Sequence, residues 1–299
     1  MDQGAGPRGP LVPRASGGLP VSRAFSALRR RTPEARSATG REARAASLLV
    51  AAGLIKRFGA AAAVDGVSFA IEDGEIVGLI GPNGAGKTTL FDMLAGEQKP
   101  TAGRILINGR AVENAPPERR LALGLGRTFQ IPQPFAEMTV VENVMLGAQR
   151  QTGERMWANW LEPGRVAKEE RVHFARAMEL LSFVTLAPLA QAPARVLSGG
   201  QRKLLEIARA LMAEPRLLLL DEPAAGVNPS LMNVIVERIV HINRRGVAIL
   251  VIEHNMDVVV RLCRRVLVMA AGKLVSQGAP EAVVSDPLVI ESYLGGAAK

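Results

Sequence analysis

Residues 81–88 read Gly-Pro-Asn-Gly-Ala-Gly-Lys-Thr, which matches the pattern GxxxxGK[ST]. The apolar run Ile76-Val77-Gly78-Leu79-Ile80 precedes it, and Thr89-Leu90-Phe91-Asp92-Met93-Leu94-Ala95 follows. The first segment predicts a buried strand and the second the opening of a helix. Strand, glycine loop and helix together supply the context in which this pattern has a mechanism. The glycines let the backbone curl so that successive N–H groups point inward. The helix N-terminus adds its partial positive charge. The expected phosphate cradle is therefore Asn83, Gly84, Ala85, Gly86, Lys87, Thr88 and Thr89. Lys87 would reach the β- and γ-phosphates, and the Thr88 hydroxyl would bind Mg²⁺. The chain is expected to bind a nucleoside triphosphate.

Further along, Leu217-Leu218-Leu219-Leu220 ends in Asp221-Glu222. A run of leucines suits a strand buried on both faces. At its end, Asp221 could hold Mg²⁺ directly or through water. Glu222 is expected to point the other way, because side chains alternate along a strand, and to polarise an attacking water. Upstream, Leu197-Ser198-Gly199-Gly200-Gln201 opens a second helical segment. Ser198 with Gln201 three residues on has the form of a capping box, as does Thr139 with Glu142. The glycine-rich helix end at Ser198 makes a second anion site.

Composition narrows the setting. The 299 residues are 48% hydrophobic and only 4% aromatic, which suits buried parallel strands. One cysteine, Cys263, excludes an intrachain disulfide and reads as a small apolar helix residue. No run approaches the length needed to span a bilayer. The net charge of +9 is uneven: residues 1–48 hold nine arginines against Asp2, Glu34 and Glu42. That stretch, rich in Gly, Pro, Ala and Ser, is expected to be a disordered basic tail over 1–47. The basic balance therefore does not argue for nucleic acid.

From Leu48 the pattern is that of structured chain. Strands are expected at 48–55, 64–71, 216–220, 247–253 and 266–270. Arg104-Ile105-Leu106-Ile107 runs as a strand into the tight turn Asn108-Gly109. Helical patterning covers roughly 139–150 and 165–187, divided by Pro163-Gly164. This order implies a parallel-sheet core that carries a helical insertion.

The motifs in their order resemble an ABC ATPase across residues 48–299. GPNGAGKTT is similar to Walker A, LSGGQ to the signature, and LLLLDEP to Walker B. Gln130 matches the Q-loop glutamine, Ala225 to Pro229 the D-loop, His254 the switch histidine, and Phe58 the aromatic that stacks on adenine. The resemblance implies an ABC-type P-loop ATPase core of α/β class. That core would have a mainly parallel sheet, an N-terminal antiparallel β subdomain, and a helical subdomain over roughly 131–200. GRTFQ, PFAEMTVVENV, DEPAAGVNP, IEHNMDVV and DPLVIESYLGG together resemble the LivG-type subunit of branched-chain amino-acid importers. LSGGQRK is nearer the general signature than the LSYGQQ of that group, and Asn228 stands where many ABC ATPases have Asp.

The resemblance also implies a mechanism. Ser198, Gly199, Gly200 and Gln201 of one subunit would close on ATP held by another, so the chain must dimerise with itself or a homologue. Glu222 and His254 would be catalytic with Lys87, and His254 would orient the γ-phosphate and the attacking water. Gln130 would join Thr88 and Asp221 at Mg²⁺ and report on nucleotide, while residues 131–150 contact a transmembrane permease. A solute-binding protein would act indirectly, and the subunit would sit on the cytoplasmic face of the membrane through its permease. Urea or amide uptake and lipid or polysaccharide export use the same catalytic motifs. A soluble ABC ATPase acting on nucleic acid is the rival from another class. The segment between Walker A and signature leaves no room for the long coiled coil of the repair type. His173 and His241 read as surface or packing residues.

Overall fold

The computed structural model describes residues 47–128, 133–149 and 163–294. The expectations for the basic tail over 1–46, for Gln130 and for part of 131–150 fall outside those residues. In chain order, strands β1 (Leu49–Phe58), β2 (Ala61–Ile71) and β3 (Ile76–Ile80) lead into helix α1 (Lys87–Ala95). Next come β4 (Ala102–Ile107), β5 (Arg110–Ala111), α2 (Pro117–Ala122) and β6 (Leu125–Arg127). Helices α3 (Val140–Met145), α4 (Pro163–Phe183) and α5 (Gly199–Met212) follow. The chain then runs through β7 (Leu217–Asp221), α6 (Pro229–Arg244), β8 (Ala248–Ile252), α7 (Met256–Leu262) and β9 (Arg265–Ala270). It closes with β10 (Lys273–Gly278), α8 (Pro280–Val284) and α9 (Pro287–Leu294).

Two sheets form. One is antiparallel, in the order β2-β1-β4-β5; the other has the order β10-β9-β3-β8-β7-β6. In the second sheet every neighbouring pair is parallel except β10 with β9. Strands β3, β7 and β8 are buried at every position, and their alternation sorts side chains into two cores. Val77, Leu79, Leu217, Leu219 and Leu250 face a core shared with Leu90, Phe91 and Leu94 of α1 and with Leu49, Leu54 and Ile71 of the antiparallel sheet. Ile80, Leu218, Leu220, Ile249 and Val251 face the other core, with Leu204, Leu211, Ile235 and Val258 from the helices. Helix α1 is therefore packed between the two sheets. This placement holds the end of the glycine loop rigidly.

The C-terminal end of α1 is closed by Arg120, which is 1% exposed. Its Nη1 donates to the carbonyls of Met93 and Leu94, and its Nε donates to Ala115 O at 3.0 Å. These carbonyls would otherwise lie buried without a partner.

Several boundaries differ from the expected ones. The helix expected over 139–150 ends at Met145. The chain turns there so that Gly147 can lie against α5, where a Cβ would stand 2.2 Å from Arg209 O. Pro163 opens α4 rather than breaking it, the helix position at which proline is tolerated. The same helix stops at Phe183, and Thr185 adopts φ +63° as the chain leaves it. Strands β6 and β10 were not anticipated. β6 is a three-residue strand and β10 is an edge strand without a buried position, so neither has a strong apolar period. Among the described residues no helix is long and apolar enough to cross a membrane.

Candidate functional site

The glycine loop lies between β3 and α1. Gly81 and Gly86 are the positions where only glycine serves. Their φ angles are +151° and +95°, and a Cβ would fall 2.1 Å from Met269 O and 2.2 Å from Ala63 O, respectively. The loop is thus clamped between β9 and the start of β2. Gly86 is the N-cap of α1 and offers no side-chain acceptor, which leaves the first N–H groups of the helix for an anion. Asn83, Gly84 and Thr88 are exposed, Gly86 and Thr89 half-buried, and Ala85 and Lys87 buried.

Lys87 Nζ donates to Gly81 O at 2.8 Å and to Pro82 O at 2.9 Å, so it curls over the loop it belongs to. Burial pushes its pKa down, opposed by the charges of Glu222 and Asp221. Phe58 ends β1 with half its surface exposed, and Lys56 Nζ stands 5.2 Å from its ring centroid. A flat aromatic left open in this way can act as a stacking platform.

Asp221 ends β7 and is 4% exposed. Burial raises its carboxyl to about 6. Arg127 works against that rise, while Glu222 and Asp92 add to it. Arg127 Nη2 bonds Asp92 at 2.8 Å and lies 3.9 Å from Asp221, and its Nη1 is 3.1 Å from Glu97. Arg127 thereby ties α1 to the acid at the end of β7. Thr128 continues this link, since its N–H donates to Leu219 O at 2.9 Å. A buried carboxylate with acidic neighbours suits a divalent cation that also binds phosphate, and the exposed Thr88 at the end of the glycine loop offers a hydroxyl of the same hard-oxygen type. Among the described residues no group of three His, Cys, Asp or Glu could hold a metal by itself. The donor set accordingly suits Mg²⁺ carried with a triphosphate rather than an all-protein cage.

Glu222 lies just past β7 with φ +47°. This left-handed turn, rather than strand alternation, sets the direction of its side chain. Its N–H donates to Ile252 O at 3.0 Å, and Lys203 Nζ donates to its carbonyl. His254 Nε2 lies 2.9 Å from Glu222 Oε1. Two residues given separate roles on sequence grounds are therefore in direct contact.

At the other helix end, the capping box of Ser198 is complete. Gln201 N–H donates to Ser198 Oγ at 3.3 Å, and Ser198 N–H donates to Gln201 Oε1 at 2.9 Å. Ser198 accepts in this arrangement, so its hydroxyl proton is free to donate outward. Ser198 and Gly199 are exposed, while Gly200 is buried under Leu231. Nothing stands within 4 Å of a Cβ at Gly199, so that position has room for a side chain. Among the described residues no hydrogen bond or ion pair joins Ser198–Gln201 to the glycine loop. Sequence reasoning missed three residues of this region: Arg127, Lys203 and Glu253. Glu253 is buried and Arg127 and Lys203 are half-buried, each among charged side chains or backbone dipoles, and for Glu253 the sequence signal was a charge directly after an apolar run.

The chain resembles known proteins over most of its length. The model of the ABC transporter family matches residues 64–225, and that of the branched-chain amino acid ATP-binding cassette transporter C-terminal segment matches 273–299. The chain is 41% identical over 242 residues to a probable branched-chain amino acid transport ATP-binding protein LivG of Archaeoglobus fulgidus, covering 81% of this chain and 93% of that protein. It is 38% identical to the high-affinity branched-chain amino acid transport ATP-binding protein BraF of Pseudomonas aeruginosa, covering 84% of this chain and 98% of that protein. Among solved structures, a nucleotide-free ATP-binding cassette from an ABC transporter superposes with a TM-score of 0.72 at 35% identity, covering 82% of this chain and 98% of that one. An ADP-bound cassette of an ABC transporter gives 0.71 at 34% identity, covering 83% and 99%. The family model covers more than half of the chain, and both curated relatives exceed 30% identity over most of its length, so the chain belongs to the ABC transporter family of ATP-binding cassettes.

Proposed function

We propose that this chain is the ATP-hydrolysing subunit of a membrane importer whose cargo is a branched-chain or other hydrophobic amino acid. The observation that carries the catalytic part is the contact of Glu222 with His254 at the strand ends beside Lys87 and Asp221. The near full-length likeness to branched-chain amino acid transport ATP-binding proteins supports the cargo.

In this reading Asn83 to Thr89 hold the triphosphate through backbone N–H groups, and Lys87 turns from its loop carbonyls to the β- and γ-oxygens. Phe58 stacks on the adenine. Thr88, Asp221 and Gln130 hold Mg²⁺, which would neutralise charge on the phosphates when bound. Glu222 accepts a proton from the attacking water, and His254 keeps the carboxylate aimed. Ser198 to Gln201 of a second subunit complete the site, because one chain has a single signature and a single glycine loop. Closure by ATP and release after hydrolysis then form a two-state element that one ligand biases. Residues 131–150 transmit it to a permease, which keeps this subunit on the cytoplasmic face of the membrane. A solute-binding protein delivers cargo to that permease.

Vesicles holding the chain with its permease pair and solute-binding protein test this reading. ATP-dependent uptake of labelled leucine is expected, and Lys87→Ala is expected to abolish both uptake and hydrolysis. Hydrolysis that persists in Lys87→Ala, or uptake of urea in place of leucine, overturns it.

A further inference from the structure

Glu253 carries no role in the mechanism above, yet it is a carboxylate only 2% exposed. It follows β8 directly. Its Oε1 accepts from Ala224 N–H at 3.0 Å, in the turn after β7. The backbone N–H groups of His254 and Asn255 in its own turn face it as well and favour its charged form, against the burial that disfavours it. One carboxylate is therefore bonded to the turn that carries Glu222 and faces the N–H groups of the turn that carries His254. Burying a charge in this way is costly unless it is fully bonded. Lys203, on the signature helix α5, faces Glu253, Glu222, Glu206 and Asp221 and balances it. The same Lys203 donates to the Glu222 carbonyl.

We infer that Glu253 is a positioning residue that sets the distance between Glu222 and His254 by pinning the two turns to each other. The ends of β7 and β8 are parallel neighbours, with Asp221 paired to Ile252. Strand pairing ends there, and beyond it Glu222 N–H to Ile252 O, the Glu222–His254 contact and the bond of Glu253 to Ala224 N–H connect the turns. A glutamine at this position has one acceptor oxygen, and its amide adds donors where three N–H groups converge. An aspartate keeps the charge but withdraws it by one methylene.

The inference rests on the proposed hydrolysis, and the experiment separates the two. Steady-state ATPase activity and the affinity for a fluorescent ATP analogue are measured for the full chain, Glu253→Gln, Glu253→Asp, His254→Ala and the double variant Glu253→Gln/His254→Ala. The expected result is a kcat lower by on the order of tenfold in Glu253→Gln, as misplacement of a reacting group produces, with KM and nucleotide affinity within about twofold. The loss in Glu253→Asp should be intermediate. In the His254→Ala background Glu253→Gln should have little further effect, because the pair it aligns is already gone. If Glu253→Gln does not fold, the kcat of Glu253→Asp alone decides. A wild-type kcat in either variant, or a fully additive loss in the double variant, overturns the positioning role. A wild-type chain that hydrolyses no ATP overturns the proposed function and this inference together.

Discussion

His254 Nε2 meets Glu222 Oε1 across 2.9 Å, and the two residues come from turns that follow neighbouring parallel strands. A carboxylate only accepts, so the imidazole Nε2 carries the proton in this contact. Glu222→Gln is expected to retain ATP binding and to lower turnover by about 10²–10⁴-fold, the usual contribution of a general base. His254→Ala should lower it less, since Glu222 keeps its left-handed backbone and its bond to Ile252 O. Single-turnover hydrolysis with equilibrium nucleotide binding checks both, and wild-type turnover in Glu222→Gln excludes it as the base.

Ser198 is exposed at the start of α5, and its oxygen is the helix cap. Ser198→Arg removes that cap at a cost of about 1 kcal/mol, too little to unfold the chain. In the proposed function its bulk would stand where a second subunit closes. The free variant should bind nucleotide like the parent and fail to form an ATP-driven dimer when combined with Glu222→Gln. Size-exclusion chromatography with and without ATP reads this directly, and a retained dimer contradicts a site shared between subunits.

Arg120 supplies the buried donors for Met93, Leu94 and Ala115 carbonyls at the end of α1. Arg120→Met keeps much of the volume but orphans these acceptors. At about 1–3 kcal/mol for each unsatisfied group, the loss should be about 3 kcal/mol or more. Urea unfolding measures it. A midpoint like the parent's means that water or a shifted loop replaces the guanidinium.

Asp221 has a carboxyl raised to about 6, with burial as the chief cause. A folded pKa above the unfolded value means that the folded state holds the proton more tightly. The associated stability is complete below the unfolded value near 3.8 and is lost as pH rises through about 6. Asp221→Asn removes this charge while Arg127 keeps Asp92 and Glu97 as partners. The nucleotide-free variant should be more stable than the parent by about 1–3 kcal/mol above that pH, with the gap closing under acid. Its Mg²⁺-dependent turnover should fall sharply. Urea unfolding across this pH range checks the stability claim, and a gap independent of pH refutes it.

Cys263 packs against β3, where a Cβ at Gly78 would lie 3.0 Å from its sulfur. Burial pushes its thiol up to about 12. It should resist thiol reagents in the folded chain and react at once on unfolding. Rapid labelling of the native protein would show that α7 opens readily.

The local features of this protein were legible in its residues. The glycine loop, both capping boxes, the Asn108-Gly109 turn and the buried strands β3, β7 and β8 each depend on short-range chemistry: φ angles, helix-end donors and apolar runs. Boundaries such as the end of α3 at Met145 were not legible, because the close approach of Gly147 to Arg209 O is a contact between distant segments. The site divides along the same line. Lys87, Asp221 and Glu222 could be named from their local sequence and His254 from the resemblance of the ordered motifs, but neither says which of them touch. The pairing of Asp221 with Ile252 in the parallel sheet brings Glu222 to His254 and Glu253 to Ala224, while the packing of a separate helix brings Lys203 to the Glu222 carbonyl. Register between strands far apart in the chain is fixed by how two cores close around one sheet, which no single stretch of sequence encodes.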